Sequence, residues 1–155
     1  CSGDRIGWCA PGKYKADFKR FKYLFNVSSP SLSQRVMTEI LQSGIYDKHL
    51  QTLRPILKQQ VSIFSDAIAR NFPKGTKITR PQGSFLLWVQ LPDWCSTLDL
   101  YRSAVSENIS IAPGPVFSAV QGYTNYIRIS CGAPWSQEIH DAIKTLGRLI
   151  SSQKP

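Results

Sequence analysis

The 155-residue sequence predicts an α/β fold, a few-stranded sheet covered by helices. Three observations lead there. Apolar residues at Leu50, Leu53, Leu57, Val61, Phe64, Ile68 and Phe72 step by three or four, which is the stripe of one long helix. Beyond Pro73 the chain changes to short β-rich runs separated by proline and glycine. A last stripe, Ile139, Ile143, Leu146 and Ile150, closes it as another helix.

Taken in order, Arg5 to Ala10 reads as a strand that stops at the turn-forming pair Pro11-Gly12. An apolar and basic helix follows from about Tyr14 to Phe25. Ser29 is placed to cap the next helix, with Pro30 at its first position, Leu32, Val36 and Ile40 on one side and Gly44 as its stop. Pro55 falls inside the long 47–72 stripe. Proline removes an amide donor and clashes with the preceding turn, so a kink or a true helix start is expected there. Strand runs then fall at Lys77 to Arg80, Ser84 to Leu91, Ser110 to Ile111 and Tyr126 to Cys131. The 84–91 run is apolar at both alternating sets of positions, which predicts a central strand covered on both sides. Leu98 to Glu107 reads as a helix packing Leu98, Tyr101 and Val105. The closing helix opens at Ser136, with Glu138 in the first turn, where the helix dipole favours an anion.

Net charge of +9 comes in large part from Lys13, Lys15, Lys19, Arg20 and Lys22. Phe18, Phe21, Leu24 and Phe25 are spaced among them, the pattern of a helix with a solvated basic face, with binding of a polyanion such as nucleic acid as the alternative. Cys1, Cys9, Cys95 and Cys131 form no CxxC pair and have no histidines at ligand spacing, which argues against zinc and suits a reducing, cytoplasmic location. No apolar run reaches the roughly 20 residues needed to span a bilayer, so no membrane partner is expected. With His49 and His140 as the only histidines and no GxSxG elbow, the sequence argues against a hydrolase triad, and no glycine-rich phosphate loop of Walker or Rossmann type is present.

Two arginines inside strand patterns stand out, because apolar strands keep guanidinium groups out unless an anion meets them. In Tyr126-Ile127-Arg128-Ile129-Ser130 the period of two puts Tyr126, Arg128 and Ser130 on one face and Ile127, Ile129 and Cys131 on the other, which directs Arg128 toward a polar cleft. In Gly3-Asp4-Arg5-Ile6-Gly7-Trp8 the same alternation turns Arg5 away from Ile6 and Trp8. A structural salt bridge and an anionic ligand are both open for each.

Four stretches carry a family resemblance. Gly3-Asp4-Arg5-Ile6-Gly7-Trp8 with Ala10-Pro11-Gly12-Lys13-Tyr14, Pro81-Gln82-Gly83-Ser84-Phe85-Leu86-Leu87-Trp88-Val89, Ala112-Pro113-Gly114-Pro115-Val116-Phe117 and Tyr126-Ile127-Arg128-Ile129-Ser130 resemble, in order and spacing, the C-terminal part of class I/II, fold type I aminotransferases that use pyridoxal phosphate (PLP). The resemblance implies the small C-terminal domain of the aspartate aminotransferase-like fold over 29–155, preceded over 1–28 by a strand and connecting helix left from the large PLP-binding domain. It implies that Arg5 grips the PLP phosphate and that Arg128 holds the α-carboxylate of an amino acid or related ligand. Arg5-Ile6-Gly7-Trp8 with Pro11-Gly12-Lys13-Tyr14, His49-Leu50 ahead of Leu53-Arg54, and Gly83-Ser84-Phe85-Leu86-Leu87-Trp88 look most like the MocR group of GntR-type regulators. Those proteins join an N-terminal winged-helix DNA reader to an aminotransferase-like domain, commonly as homodimers. The family's Ser-x-x-Lys run should directly precede Gly3, whereas the sequence starts at Cys1 and no later lysine takes its position. A truncated chain without catalytic residues, inactive and binding no PLP by itself, is therefore the expectation.

Overall fold

A computed structural model describes residues 6–120 and 122–155. Its described residues divide into two compact units that part between Thr52 and Leu53.

The first unit holds a 3-10 turn at Gly12–Tyr14, helix α1 (Lys15–Asn26), helix α2 (Ser31–Gln42) and the opening of α3 (Ile45–Asn71). Ile6 to Ala10, expected as most of a strand, takes no strand conformation, since no neighbouring segment completes a hydrogen-bonded ladder with it. Helix α1 forms where the sequence places it, yet none of its residues is buried: Phe18, Phe21, Leu24 and Phe25 remain exposed, with Phe21 and Phe25 stacked at 6.3 Å between ring centroids. Helix α2 starts one residue later than expected, with Pro30 itself in the cap position and no side-chain cap bond. Its stop is as read, because Gly44 takes the left-handed φ of +71°.

The second unit contains the core. Strands β1 (Lys77–Ile78), β2 (Leu86–Gln90), β3 (Ala112–Pro113) and β4 (Tyr126–Ser130) make an antiparallel sheet in the order β1-β2-β4-β3. The sequence places the 110–111 run two residues early and overruns β1. Beyond Ile78, Thr79 still accepts from the Trp88 amide through its hydroxyl at 3.1 Å and donates its own amide to the Trp88 carbonyl at 3.1 Å. Leu87, Val89 and Ile127 point to one face and are fully buried against Phe64, Ala67 and Ile68 of α3, Leu100 and Ala104 of α4 (Thr97–Ser106), and Ile143, Leu146 and Ile150 of α5 (Gln137–Ser151). The other face carries Trp88 and Arg128, so among the described residues of this unit helices cover β2 on one side, where both were expected. Its second set of large residues serves an aromatic cluster instead.

Helices α3 and α4 also depart from expectation. Pro55 lies inside α3, which begins at Ile45, so it does not mark the helix start. On α4 the buried residues are Thr97, Leu100 and Ala104, while Leu98, Tyr101 and Val105 are 46%, 39% and 48% exposed. The helix is apolar on both stripes, and its ends decide which one turns inward. Ser96 caps the Asp99 amide, the fully buried Thr97 hydroxyl donates to the Thr124 carbonyl at 2.7 Å, and Gln153 bonds both the amide and the carbonyl of Ser96. These bonds set the helix's rotation about its axis.

Candidate functional site: the aromatic face around Arg128

The site is built on the outward face of β2 and β4. Arg128 is paired across the sheet with Trp88 on one side and Ala112 on the other, so the guanidinium rises from the middle strand of three. The small Ala112 leaves room beside it. Tyr126, two residues earlier on the same face, stacks on Trp88 with ring centroids 5.5 Å apart and planes 26° apart. Tyr123, held at a φ of +61°, meets Trp88 edge-on at 5.5 Å and Tyr126 at 5.4 Å. Phe117 ends the 3-10 turn Gly114–Phe117; its ring lies edge-on to Trp88 at 5.6 Å and 4.4 Å from the Arg128 guanidinium carbon.

Gly114 explains how the turn comes so close. A Cβ there would clash with the Tyr123 carbonyl oxygen and lie 2.9 Å from that of Tyr126, so only glycine lets the 114–117 turn lie against the 123–126 segment. Pro115 within the turn and the bond from the Ser118 amide to the Pro115 carbonyl at 3.1 Å close it.

Among the described residues no carboxylate pairs with Arg128, and its side chain donates no hydrogen bond. A planar fork of N–H donors of this kind is suited to a carboxylate or another planar anion. Arg128 also lines an open cavity of about 630 Å³. The wall of that cavity is largely apolar and includes Phe64, Ile129, Ile143 and Leu146, which belong to the core or pack against it, away from the aromatic rings around the guanidinium.

Arg5, the other arginine singled out, lies outside the described residues. The described part of the site therefore assembles one guanidinium among aromatic rings. Trp88, Tyr123 and Tyr126 escaped the sequence reading as site residues. Their signal was available in part, since Trp88 alternates with Leu87 and Val89 and must leave the core face. Burial pushes the Cys95 and Cys131 thiols up to about 11, which keeps both protonated and unreactive at neutral pH.

A sheet of this order with α3, α4 and α5 on one face and an arginine-bearing strand at its centre defines a part of the aminotransferase fold. The match is close: the chain superposes with a TM-score of 0.83 on an archaeal alanine:glyoxylate aminotransferase, 25% identical, over 99% of this chain and 38% of that one. It superposes with a TM-score of 0.77 on LysN, the α-aminoadipate aminotransferase of Thermus thermophilus solved with N-(5'-phosphopyridoxyl)-L-leucine, 28% identical, over 90% of this chain and 36% of that one.

In sequence the chain is 35% identical over 151 residues to the uncharacterized HTH-type transcriptional regulator YjiR of Escherichia coli, which takes in 96% of this chain and 32% of the relative. Other relatives include both HTH-type regulators and aminotransferases. No protein-family model matches. The relatives of this chain are thus HTH-type regulators of the MocR kind and aminotransferases, and its structural neighbours match it over the C-terminal part of the aminotransferase fold. The chain spans about a third of the length of the curated relatives it matches.

Proposed function

We propose that this chain is the C-terminal, effector-sensing part of a PLP-dependent transcriptional regulator of the GntR/MocR type, in which Arg128 seats the carboxylate of an amino acid or a related acid. The observation that carries this reading is the guanidinium of Arg128, without an acidic partner among the described residues and presented from the centre of the sheet beside aromatic rings. On this reading residues 29–155 form the small domain and residues 1–28 belong to the large domain. PLP in the intact protein is held by a lysine upstream of this chain, with Arg5 on its phosphate. The cofactor supplies an electron sink, and the protein supplies position and charge. Arg128 orients the ligand by its carboxylate, DNA is read by a separate upstream winged-helix domain, and the intact protein is a cytoplasmic homodimer. No described helix is long and apolar enough to cross a membrane.

A second reading, the C-terminal part of a free-standing aminotransferase, is supported by the solved neighbours. Both readings use Arg128 in the same way. They part on whether a basic winged-helix segment precedes the large domain.

The test is a titration of the intact, PLP-loaded protein with amino acids, followed by absorbance. Arg128→Ala is expected to weaken binding by about 2 to 3 kcal/mol, the scale of hydrogen bonds to a charged partner, while PLP stays bound. Unchanged affinity rejects the assignment of Arg128.

A further inference from the structure

We propose that Phe117 is a positioning residue, whose ring holds the Arg128 guanidinium in the pose from which it receives a carboxylate. This rests on the reading of Arg128 given above and adds the residue through which that arginine is placed. An arginine on an exposed strand face has many rotamers to lose on binding a ligand, and each that is lost beforehand favours the complex. Among the described residues no acidic side chain restrains Arg128. Phe117 is in position to do so, with its ring centroid 4.4 Å from the guanidinium carbon.

The choice of an aromatic ring over a carboxylate has a chemical consequence. The electron-rich face of the ring attracts the cation without neutralising it and without offering a lone pair to its N–H groups. An aspartate at the same place would restrain Arg128 equally well but would occupy the donors that a ligand needs. Phe117 is itself fixed from two sides. The Gly114–Phe117 turn is locked against Tyr123 and Tyr126 at the glycine, and Trp88 meets the ring edge-on at 5.6 Å. Placement thus passes from the sheet through Trp88 to Phe117 and from Phe117 to Arg128.

The experiment uses the intact, PLP-loaded protein with L-leucine as the probe carboxylate, and two readouts. The first is the NMR signal of the Arg128 Nε–H group without ligand. A ring at this distance displaces that signal from the free-arginine position; Phe117→Leu is expected to return it and Phe117→Tyr to retain the displacement. The second is L-leucine affinity. Phe117→Leu is expected to weaken it about three- to tenfold, the range for a cation–π contact, to be rescued by Phe117→Tyr, and to have no effect once Arg128→Ala is present. An undisplaced Arg128 signal in the unsubstituted protein, or equal weakening by Phe117→Leu with and without Arg128, overturns the positioning role. A displaced signal together with L-leucine affinity indifferent to Arg128→Ala upholds the ring contact and overturns the carboxylate reading, so the two failures are told apart.

Discussion

Arg128 stands on the outward face of β4 with Phe117 against it, while two cysteines of the same unit are turned the other way, into the core. Cys95 and Cys131 are 3% and 0% exposed, and burial shifts each thiol from 9.0 to about 11. The folded state therefore keeps protons that the unfolded chain gives up above its own thiol pKa. The stability linked to them is fully present below about 9 and is lost as pH climbs toward 11. Melting temperature is expected to fall across that window, and less steeply for Cys131→Ala, in a series of thermal melts from about pH 8 to about pH 11.5 that brackets the two thiol values. Thiol labelling followed by peptide mapping is expected to mark the exposed Cys9 at once and Cys95 and Cys131 only after unfolding. At this scale the sequence was informative about direction and silent about neighbours. Period-two alternation put Arg128 outside and Ile127 and Cys131 inside. It held no sign that a phenylalanine eleven positions earlier would lie on the guanidinium, because that contact depends on how the turn at Gly114 folds back on Tyr123.

Helices α3 and α5 show how one residue can carry the packing of a whole element. Gly147 is buried within α5, and a Cβ there would clash with the carbonyl oxygen of Asn71 at the end of α3. Alanine favours a helix over glycine by up to about 1 kcal/mol, so helix propensity alone predicts that Gly147→Ala stabilises. The close approach reverses the sign. Overpacking of this kind costs about 1 to 3 kcal/mol, and a lower urea midpoint for Gly147→Ala is the expected result; an unchanged or higher one means that the two helices separate without loss. Helix α4 teaches the complementary lesson. Its two stripes, Leu98-Tyr101-Val105 and Thr97-Leu100-Ala104, both have helical spacing, and the more apolar was expected inside. Bonds from Ser96 and Thr97 to Gln153 and Thr124 turned the other one inward, and these partners lie far along the chain.

Across the whole molecule, the core belongs to residues after Thr52, while α1 and α2 bury none of their side chains. The curated relatives it matches are about three times as long. The same proportion governs the cofactor. The proposed function places the lysine that carries PLP upstream of this chain, so the intact protein is expected to show the visible absorbance of a protonated Schiff base, made permanent by borohydride. The chain by itself is expected to show none. Absorbance of that kind in the isolated chain means that one of its own lysines binds the cofactor, and its absence from both sets PLP aside in favour of a binding role without it.

By itself the sequence determined the helices and the inward sides of β4 and α5, because helix and strand periodicities are local and survive any arrangement of their neighbours. Its motifs also pointed to the aminotransferase and HTH-type regulator relatives, through short stretches whose order is kept along the chain. Only the tertiary structure decided that the sheet has one helix-covered face, that α4 turns its less apolar stripe inward, and that Trp88, Phe117, Tyr123 and Tyr126 gather around Arg128. Each of those outcomes joins residues distant in sequence, and contacts at long range are set by packing and backbone approach, which no local pattern encodes.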